Sequence, residues 1–239
     1  MTSTAAPDIW IFGYGSLMWK PGFSHDEAVK ARLTGYRRCF CIYSTNHRGS
    51  GSRPGLVLGL DRGGVCDGVA LRVTPAYARE TLDYLRDREQ VHGVYREALV
   101  PVRLDDGTHR TVMAQAYIVE RAHPSYAGRL SLTQQARLIT GARGISGVNL
   151  DYLINTVEQL GKLGIREPEL ERLLGRIGAC VARPGGRVEG NAMTHPSAKA
   201  LLAVVRRRPF DARLLKLGER RRFIYRRQMA VWASKHPNL

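Results

Sequence analysis

The sequence lacks any long apolar run. None of its 239 residues lies in a stretch that approaches the ~20 consecutive apolar residues of a transmembrane helix. Residues 1–7 contain neither the basic segment nor the apolar core of a secretory signal. We therefore expect a cytoplasmic protein without a transmembrane segment.

Cysteine is scarce, and its four positions form no recognisable metal site. Cys39, Cys41, Cys66 and Cys180 contain no CxxC pair, and no histidine cluster completes a zinc site. In a reducing cytosol such residues are expected to be free core thiols. We accordingly predict no metal and no other cofactor.

Acidic residues are also few, since 21 Asp and Glu face 37 Lys and Arg, for a net charge of +16. Much of this excess lies in residues 183–239, which hold 14 Lys or Arg and three Asp or Glu. We therefore predict a main domain over residues 8–182 and a basic, helical C-terminal extension over 183–239. An amphipathic helix that docks on the main domain explains such a tail. Attachment to nucleic acid, an acidic partner or an anionic membrane surface is the alternative.

The first half of the sequence is patterned as strands. The predicted strands are Ile9–Gly13 and residues 31–43, 56–60, 65–73, 95–104 and 111–119. Residues 61–64 (DRGG) predict a hairpin turn between the third and fourth strands, and 105–107 (DDG) one between the last two.

Helical periodicity dominates the second half, after one helix that interrupts the strands. That helix is expected from Pro75 to about Arg88, with Pro75 in the favoured first position. Ser131 and Gln134 form a capping box for the next, Asn149 is a predicted N-cap, and a shorter helix covers residues 167–177. The pattern is that of an α+β fold whose mixed or antiparallel sheet closes into a barrel.

A glycine-rich turn follows the first strand. In the run Gly13, Tyr14, Gly15, Ser16, Leu17, both glycines permit a positive φ, and exposed amides in such a turn suit an anion such as a carboxylate. Taken alone, the run is also compatible with a plain structural turn.

Glu89 stands where the helix from Pro75 is expected to end. A carboxylate is unfavourable at a helix C-terminus, so the position is not explained by helix stability. Two interpretations remain open, a solvated surface residue or a functional carboxylate. In a partly apolar pocket the pKa of the latter rises and suits it to proton transfer near neutral pH.

Several short runs, in unbroken order over about residues 8–177, resemble the ChaC family of glutathione-specific γ-glutamylcyclotransferases. These runs are residues 14–21 (YGSLMWKP), 35–38 (GYRR), 44–49 (STNHRG), 88–89 (RE) before 93–95 (GVY), 126–128 (YAG) and 147–153 (GVNLDYL).

The resemblance implies a mixed β-barrel with flanking helices and a reaction that cleaves glutathione to 5-oxoproline and Cys-Gly. In that reaction the substrate amine attacks its own γ-carbonyl. Glu89 is implied as the general base and acid. The implied substrate-binding residues are Gly13, Tyr14, Gly15, Ser16, Leu17, Met18 and Tyr126. Two alternatives stay open: a cyclotransferase for other γ-glutamyl amines or amino acids, and a non-catalytic basic adaptor of the same fold.

Overall fold

The computed structural model describes residues 6–89 and 93–181. Five strands form a closed barrel in the order β1-β3-β2-β4-β5. They are β1 (Ile9–Gly13), β2 (Glu27–Ser44), β3 (Gly55–Val73), β4 (Tyr95–Leu104) and β5 (Thr111–Val119). The helices are α1 (Pro75–Glu89), α2 (Leu132–Gly141), α3 (Asn149–Lys162) and α4 (Pro168–Val181), with a short 3-10 helix at Ser16–Met18. A two-stranded ribbon, β6 (Arg143–Gly144) and β7 (Gly147–Val148), precedes α3.

The barrel is mixed, as the sequence and the resemblance predict. β1 lies antiparallel to β3 and parallel to β5, with Ile11 opposite Leu71 on one side and Trp10 opposite Ala114 on the other. The remaining pairs are antiparallel. Since β1 is short and pairs on both sides, it closes the barrel.

The predicted hairpin at residues 61–64 is wrong. β3 runs through this segment as one strand, and β2 pairs with both halves of it, Tyr36 with Arg62 and Thr34 with Val65. Gly63 and Gly64 do have positive φ, but β2 shifts register at the same level. The glycines therefore bend two long strands together instead of reversing the chain.

Other boundaries follow the sequence closely. β4 and β5 occupy the two strands predicted for that hairpin, and α1 begins at Pro75 and ends at Glu89. Ser131 caps α2 with the reciprocal bonds of a capping box with Gln134. Each of these elements rests on local signals, which explains why the sequence alone places it.

Asn149 is not the N-cap predicted for α3. The cap is Val148, and Asn149 is the first helical residue. Its fully buried side chain bonds the backbone of Leu56 instead, accepting from the amide and donating to the carbonyl at 2.7 Å each. The side chain thus acts as a short stretch of partner strand for the start of β3.

Asn149→Ala is expected to lower the free energy of unfolding by about 2–4 kcal/mol, because it leaves two buried backbone groups of Leu56 unsatisfied. Urea denaturation followed by circular dichroism measures the loss. Asn155→Ala, on the exposed face of the same helix, is the matched control and should change stability by less than about 0.5 kcal/mol. Equal effects for the two variants would contradict the structural role of Asn149.

Two apolar layers hold the fold and bring the site together. Alternate residues of β1 face opposite ways, so Trp10 and Phe12 join an inner cluster drawn from all five strands. Ile11 joins an outer cluster that the helices cover. Leu17 of the 3-10 helix and Leu85 of α1 belong to that outer cluster, so the glycine turn and the end of α1 lie on the same side of the barrel.

Within the described part of the chain, no helix has the length and apolar character needed to cross a membrane. The extension at residues 183–239, with the helix and the nucleic-acid or anionic-surface binding considered for it, lies outside the described residues. The division into domains at residues 182 and 183 stays a prediction.

Candidate active site

Glu89 is the last residue of α1, and its side chain is 18% exposed. Burial raises the pKa of its carboxyl group, and the neighbouring Arg88 guanidinium partly opposes the rise. Of the two interpretations of this residue, the largely buried carboxylate with a raised pKa matches the structure. Such a group exchanges protons more readily near neutral pH than a solvated glutamate does.

Arg88 ties Glu89 to the glycine turn. Its Nη2 donates to Ser16 Oγ at 2.9 Å, and its Nε lies 3.2 Å from Glu89 Oε1. Its Nη1 donates to the carbonyl oxygens of Lys20 and Pro21 at 3.0 and 2.9 Å. One guanidinium therefore fixes the distance between the carboxylate and the turn, although Ser16 and Glu89 are 73 positions apart in the chain.

The glycines of the turn are used for close approach and not for a positive φ. Neither Gly13 nor Gly15 is among the described residues with positive φ, so neither uses the backbone freedom that glycine permits. A β-carbon at Gly13 would lie 3.2 Å from the Met18 amide nitrogen, which is tighter than ordinary contact. Gly13 therefore lets the 3-10 helix fold back closely onto the end of β1.

The rest of the turn divides into anchors and accessible groups. Leu17 and Met18 are buried in the outer apolar cluster, whereas Gly15 and Ser16 are partly exposed. The amide of Met18 donates to the Gly15 carbonyl at 3.0 Å. The amides of Ser16 and Leu17 precede this first bond of the helix, so they are free of helical partners and suited to an anion.

Three tyrosines lie near enough to Glu89 for its carboxylate to raise their pKa values. Burial raises the pKa values of Tyr14 and Tyr95 well above their usual range, and the nearby Glu89 carboxylate adds to both. The hydroxyl of Tyr95 donates to the Leu58 carbonyl at 2.7 Å. Burial raises the pKa of Tyr152 to about 12, with Glu89 again contributing. All three hydroxyls thus stay protonated at neutral pH and serve as hydrogen-bond donors.

A fourth tyrosine carries an unused hydroxyl. Tyr117 of β5 is buried, and its hydroxyl completes no hydrogen bond of good geometry with any described residue. Burial raises its pKa, and the carboxylates of Glu97 and Glu89 lie near enough to raise it further. Glu97 itself is bonded to Arg86 at 2.9 Å. Tyr117 lies opposite Glu97 in the β4–β5 pairing, and the Glu97 carboxylate raises the pKa of Tyr117 more than Glu89 does.

Tyr126 lies in a different network. Its hydroxyl donates to Asp61 Oδ2 at 3.1 Å, and Asp61 also accepts from Arg37 and Arg121. Within residues 6–89 and 93–181, none of the contacts of Tyr126 is with Glu89 or with the glycine turn. The structure thus brings Glu89 and the turn together but places Tyr126 among other partners.

Arg38 holds the backbone of the glycine turn in place through a hydrogen bond to Tyr14. Its side chain is fully buried and donates to the carbonyl oxygens of Tyr14 and Asp67 and to the carboxylate of Glu167. Since Tyr14 belongs to the turn, Arg38 fixes the backbone next to the accessible amides. Adjacent arginines in a strand face opposite sides, so residues 37 and 38 carried a signal that one of them points inward.

The sequence-based site omits Arg88, Tyr95, Tyr117 and Tyr152. Three of these did carry a signal, because Arg88, Tyr95 and Tyr152 lie within the short runs that resemble the family. Tyr117 sits in a strand of ordinary β pattern and carried none. Among the described side chains no His, Cys, Asp and Glu cluster is arranged to hold a metal ion.

Comparison with known proteins identifies the family. The model of the family described as "ChaC-like protein" matches residues 9–180. The chain belongs to this ChaC-like family. The matched segment contains every element from β1 to α4, and hence both Glu89 and the glycine turn.

Curated relatives of this ChaC-like chain carry enzyme names. The Escherichia coli K12 protein "Glutathione-specific gamma-glutamylcyclotransferase" is 38% identical over 176 residues, covering 72% of this chain and 75% of the relative. The Mus musculus protein "Glutathione-specific gamma-glutamylcyclotransferase 1" is 36% identical over 174 residues, covering 71% and 78%.

A solved structure shares the fold of this ChaC-like chain. A crystal structure of a yeast γ-glutamyl cyclotransferase specific to glutathione superposes with a TM-score of 0.67 and 23% identity. The match covers 78% of this chain and all of the yeast chain. The expected barrel with flanking helices is thereby confirmed over the described residues.

Proposed function

We propose that this protein is a γ-glutamylcyclotransferase that cleaves glutathione to 5-oxoproline and Cys-Gly. The observation that carries the proposal is Glu89, a largely buried carboxylate with a raised pKa, which Arg88 holds to the glycine turn. The family membership and the names of the E. coli and mouse relatives support the same substrate.

The proposed reaction needs little beyond correct positioning and proton transfer. The α-amine of the γ-glutamyl group attacks its own γ-carbonyl, closes a five-membered ring and expels the amine of Cys-Gly. Because nucleophile and electrophile belong to one molecule, the protein has to hold the folded conformer in which they meet.

Glu89 performs both proton transfers in this scheme. Its carboxylate first takes a proton from the substrate α-ammonium, which makes the amine nucleophilic. The resulting carboxylic acid then gives the proton to the departing Cys-Gly nitrogen, and the second proton that the attacking nitrogen loses on ring closure passes to solvent. A raised pKa brings the two protonation states closer in free energy at neutral pH and so suits the residue to both steps.

The glycine turn is proposed to bind the substrate α-carboxylate. The backbone amides of Ser16 and Leu17 have no helical hydrogen-bond partner, so they are suited to bind an anion. Ser16 Oγ accepts a hydrogen bond from Arg88, so its own hydrogen remains available to a carboxylate oxygen. The remaining residues of the set, Gly13 and Met18 included, shape and anchor the turn. Tyr126 stays in the substrate-binding set on the resemblance alone.

Tyr117 is proposed to hydrogen-bond the reacting groups beside Glu89. We expect Tyr117→Phe to lower kcat by about tenfold, the value of one hydrogen bond of about 1.4 kcal/mol. Its stability should fall by less than about 1 kcal/mol, because the hydroxyl completes no hydrogen bond of good geometry and has only the Glu97 carboxylate beside it. Steady-state kinetics and urea denaturation measure the two effects.

Tyr126→Phe is the matched control for Tyr117→Phe. It deletes the hydroxyl bonded to Asp61 and is expected to cost about 1 kcal/mol of stability. An unchanged kcat for Tyr117→Phe, or a loss of its stability as large as that of Tyr126→Phe, would contradict the role given to Tyr117.

The direct test of the proposed function is product analysis. Purified full-length protein is incubated with glutathione, and Cys-Gly and 5-oxoproline are quantified by mass spectrometry. γ-Glutamyl amino acids and γ-glutamyl amines are assayed in parallel. Stoichiometric Cys-Gly and 5-oxoproline are expected from glutathione. Turnover of only the other γ-glutamyl compounds would change the substrate class, and an inert folded protein would overturn the enzymatic function. A cytoplasmic location stays our prediction from the sequence.

A further inference from the structure

Two buried thiols, those of Cys39 and Cys41, lie against the same glycine, Gly59. Cys39 and Cys41 of β2 point to the same face of the strand and are both buried. Cys39 Sγ lies 4.0 Å from the Gly59 carbonyl oxygen. A β-carbon at position 59 would lie only 2.7 Å from Cys41 Sγ. Glycine at 59 therefore makes the space in which the Cys41 thiol sits beside that of Cys39.

The strand geometry brings the pair within reach of a disulfide. Residues two apart in an extended strand have Cα atoms about 6.7 Å apart, at the upper end of the ~4.4–6.8 Å seen in disulfides. The register of β2 against β3 shifts between Phe40 and Ile42, which bends the strand at Cys41 itself. A disulfide also brings the two Cβ atoms to about 3.8 Å, so its formation closes this bend further.

From this geometry we infer that Cys39 and Cys41 form a reversible oxidation site, which small hydroperoxides convert to an intramolecular disulfide. Cys39 lines a cavity of about 30 Å³ together with Arg37, Phe40 and Gln135. A cavity of this size has room for a reactant as small as hydrogen peroxide.

The two thiols have different parts in the reaction. The neighbouring Cys41 thiol and Arg37 lower the pKa of Cys39 by more than burial raises it. The contact with Cys39, together with burial, raises the pKa of Cys41 well above its usual range. Since the thiolate is the nucleophile, Cys39 is the attacking residue and Cys41 the resolving one.

The chemistry balances with one peroxide molecule. The Cys39 thiolate attacks a peroxide oxygen and breaks the O–O bond, which gives a sulfenic acid and, after protonation of the leaving oxygen, one water. The Cys41 sulfur then attacks the sulfenic sulfur, and its proton leaves with the hydroxyl group as a second water. The two thiols lose two electrons and two protons in total, and the peroxide receives them.

The disulfide would reach the candidate active site through the Leu58–Gly59 peptide. The Leu58 carbonyl accepts the hydrogen bond of Tyr95, and the thiols of Cys39 and Cys41 both lie against the next residue, Gly59. Drawing Cys41 Sγ to bonding distance from Cys39 repacks this peptide and moves Tyr95. Provided that the proposed glutathione cleavage holds, we expect oxidation to lower kcat/KM by about 10- to 100-fold, as ångström-scale misplacement does.

Peptide mapping tests the oxidation without any reference to activity. Reduced wild-type protein is treated with hydrogen peroxide, alkylated in denaturant so that buried thiols can react, and digested with trypsin without reductant. Residues 39–48 form one tryptic peptide with both cysteines, Cys66 lies in residues 63–72, and Cys180 lies in 177–187 because trypsin does not cleave between Arg183 and Pro184. The expected result is a 39–48 peptide that resists alkylation, has lost two hydrogen masses and is restored by dithiothreitol.

Cys66 is the internal control, because it is fully buried and burial raises the pKa of its thiol to about 11. It should stay alkylatable throughout.

In Cys41→Ser the Cys39 sulfenic acid should persist and be trapped by dimedone. A 39–48 peptide that stays reduced, or that oxidises no faster than Cys66, would overturn the inference. Oxidation without any change in turnover would overturn the coupling to Tyr95. Absence of turnover in the reduced protein would instead overturn the proposed function and leave the disulfide result standing.

Discussion

Glu89→Gln should lower kcat/KM for glutathione by about 10²–10⁴-fold, the usual worth of general acid and base catalysis. The amide has nearly the shape of the carboxylate but neither accepts nor returns a proton at neutral pH. Since Glu89 ends α1 and its carboxylate is largely buried, the neutral side chain should leave stability unchanged or higher. Cys-Gly release measures the loss, and thermal unfolding checks the fold.

Glu97→Gln is the matched control for Glu89→Gln. Glu97 lies on the same side of the molecule, at the start of β4, but its carboxylate is engaged by Arg86 at 2.9 Å and is 26% exposed. We expect its kcat/KM to stay within a factor of about three, because the amide keeps the shape of the side chain beside Tyr117 and the lost ion pair with Arg86 is partly exposed. A loss of activity as large in Glu97→Gln as in Glu89→Gln would move the proton-transfer role away from Glu89.

The pH dependence of kcat/KM is a second test of the role proposed for Glu89. Glu89 must be ionised to accept the substrate proton, and burial raises its pKa. The acid limb of kcat/KM is therefore expected at a pH above the ordinary glutamate value of about 4.3, with activity falling as the pH drops through it. The limb should be absent from the residual activity of Glu89→Gln.

Arg38→Met should destabilise the protein by about 3–5 kcal/mol, the cost of breaking a buried ion pair at one end. The variant removes the donors to the Tyr14 and Asp67 carbonyl oxygens and leaves the Glu167 carboxylate without its partner. Burial already raises the pKa of Glu167, and Arg38 opposes that rise. The loss of stability is measured by urea denaturation at pH 7.

Two variants distinguish the buried pair from an ordinary surface one. Arg32 lies on the same strand and pairs with Asp67 at 2.6 Å, but both side chains are well exposed, so Arg32→Met should cost less than about 1 kcal/mol. In the double variant Arg38→Met with Glu167→Met, much of the lost stability should return, since no buried charge is left unpaired. An Arg38→Met cost no larger than that of Arg32→Met would contradict the buried role.

Several parts of this molecule were determined by the sequence itself. β1, the β4–β5 hairpin, the end of α1 at Glu89 and the cap at Ser131 depend on neighbours within a few positions. Apolar periodicity, turn residues and capping pairs report on such short-range interactions. The short runs at residues 14–21 and 88–89 likewise implied, through the family resemblance, that the turn and the glutamate belong to one site.

The remaining features depended on the tertiary structure. Gly63 and Gly64 carry the composition of a hairpin, and only pairing with β2 on both sides turns that segment into a bend. Asn149 has the chemistry of an N-cap, yet the unpaired backbone of Leu56, 93 residues away, takes its side chain. Arg38 meets Glu167 across 129 residues, and Tyr14, Tyr95, Tyr117 and Tyr152 lie near enough to Glu89 for its carboxylate to raise their pKa values. Local sequence patterns do not report on these long-range contacts. The partner of a buried polar group is determined by which groups the closed barrel and its helices place next to it.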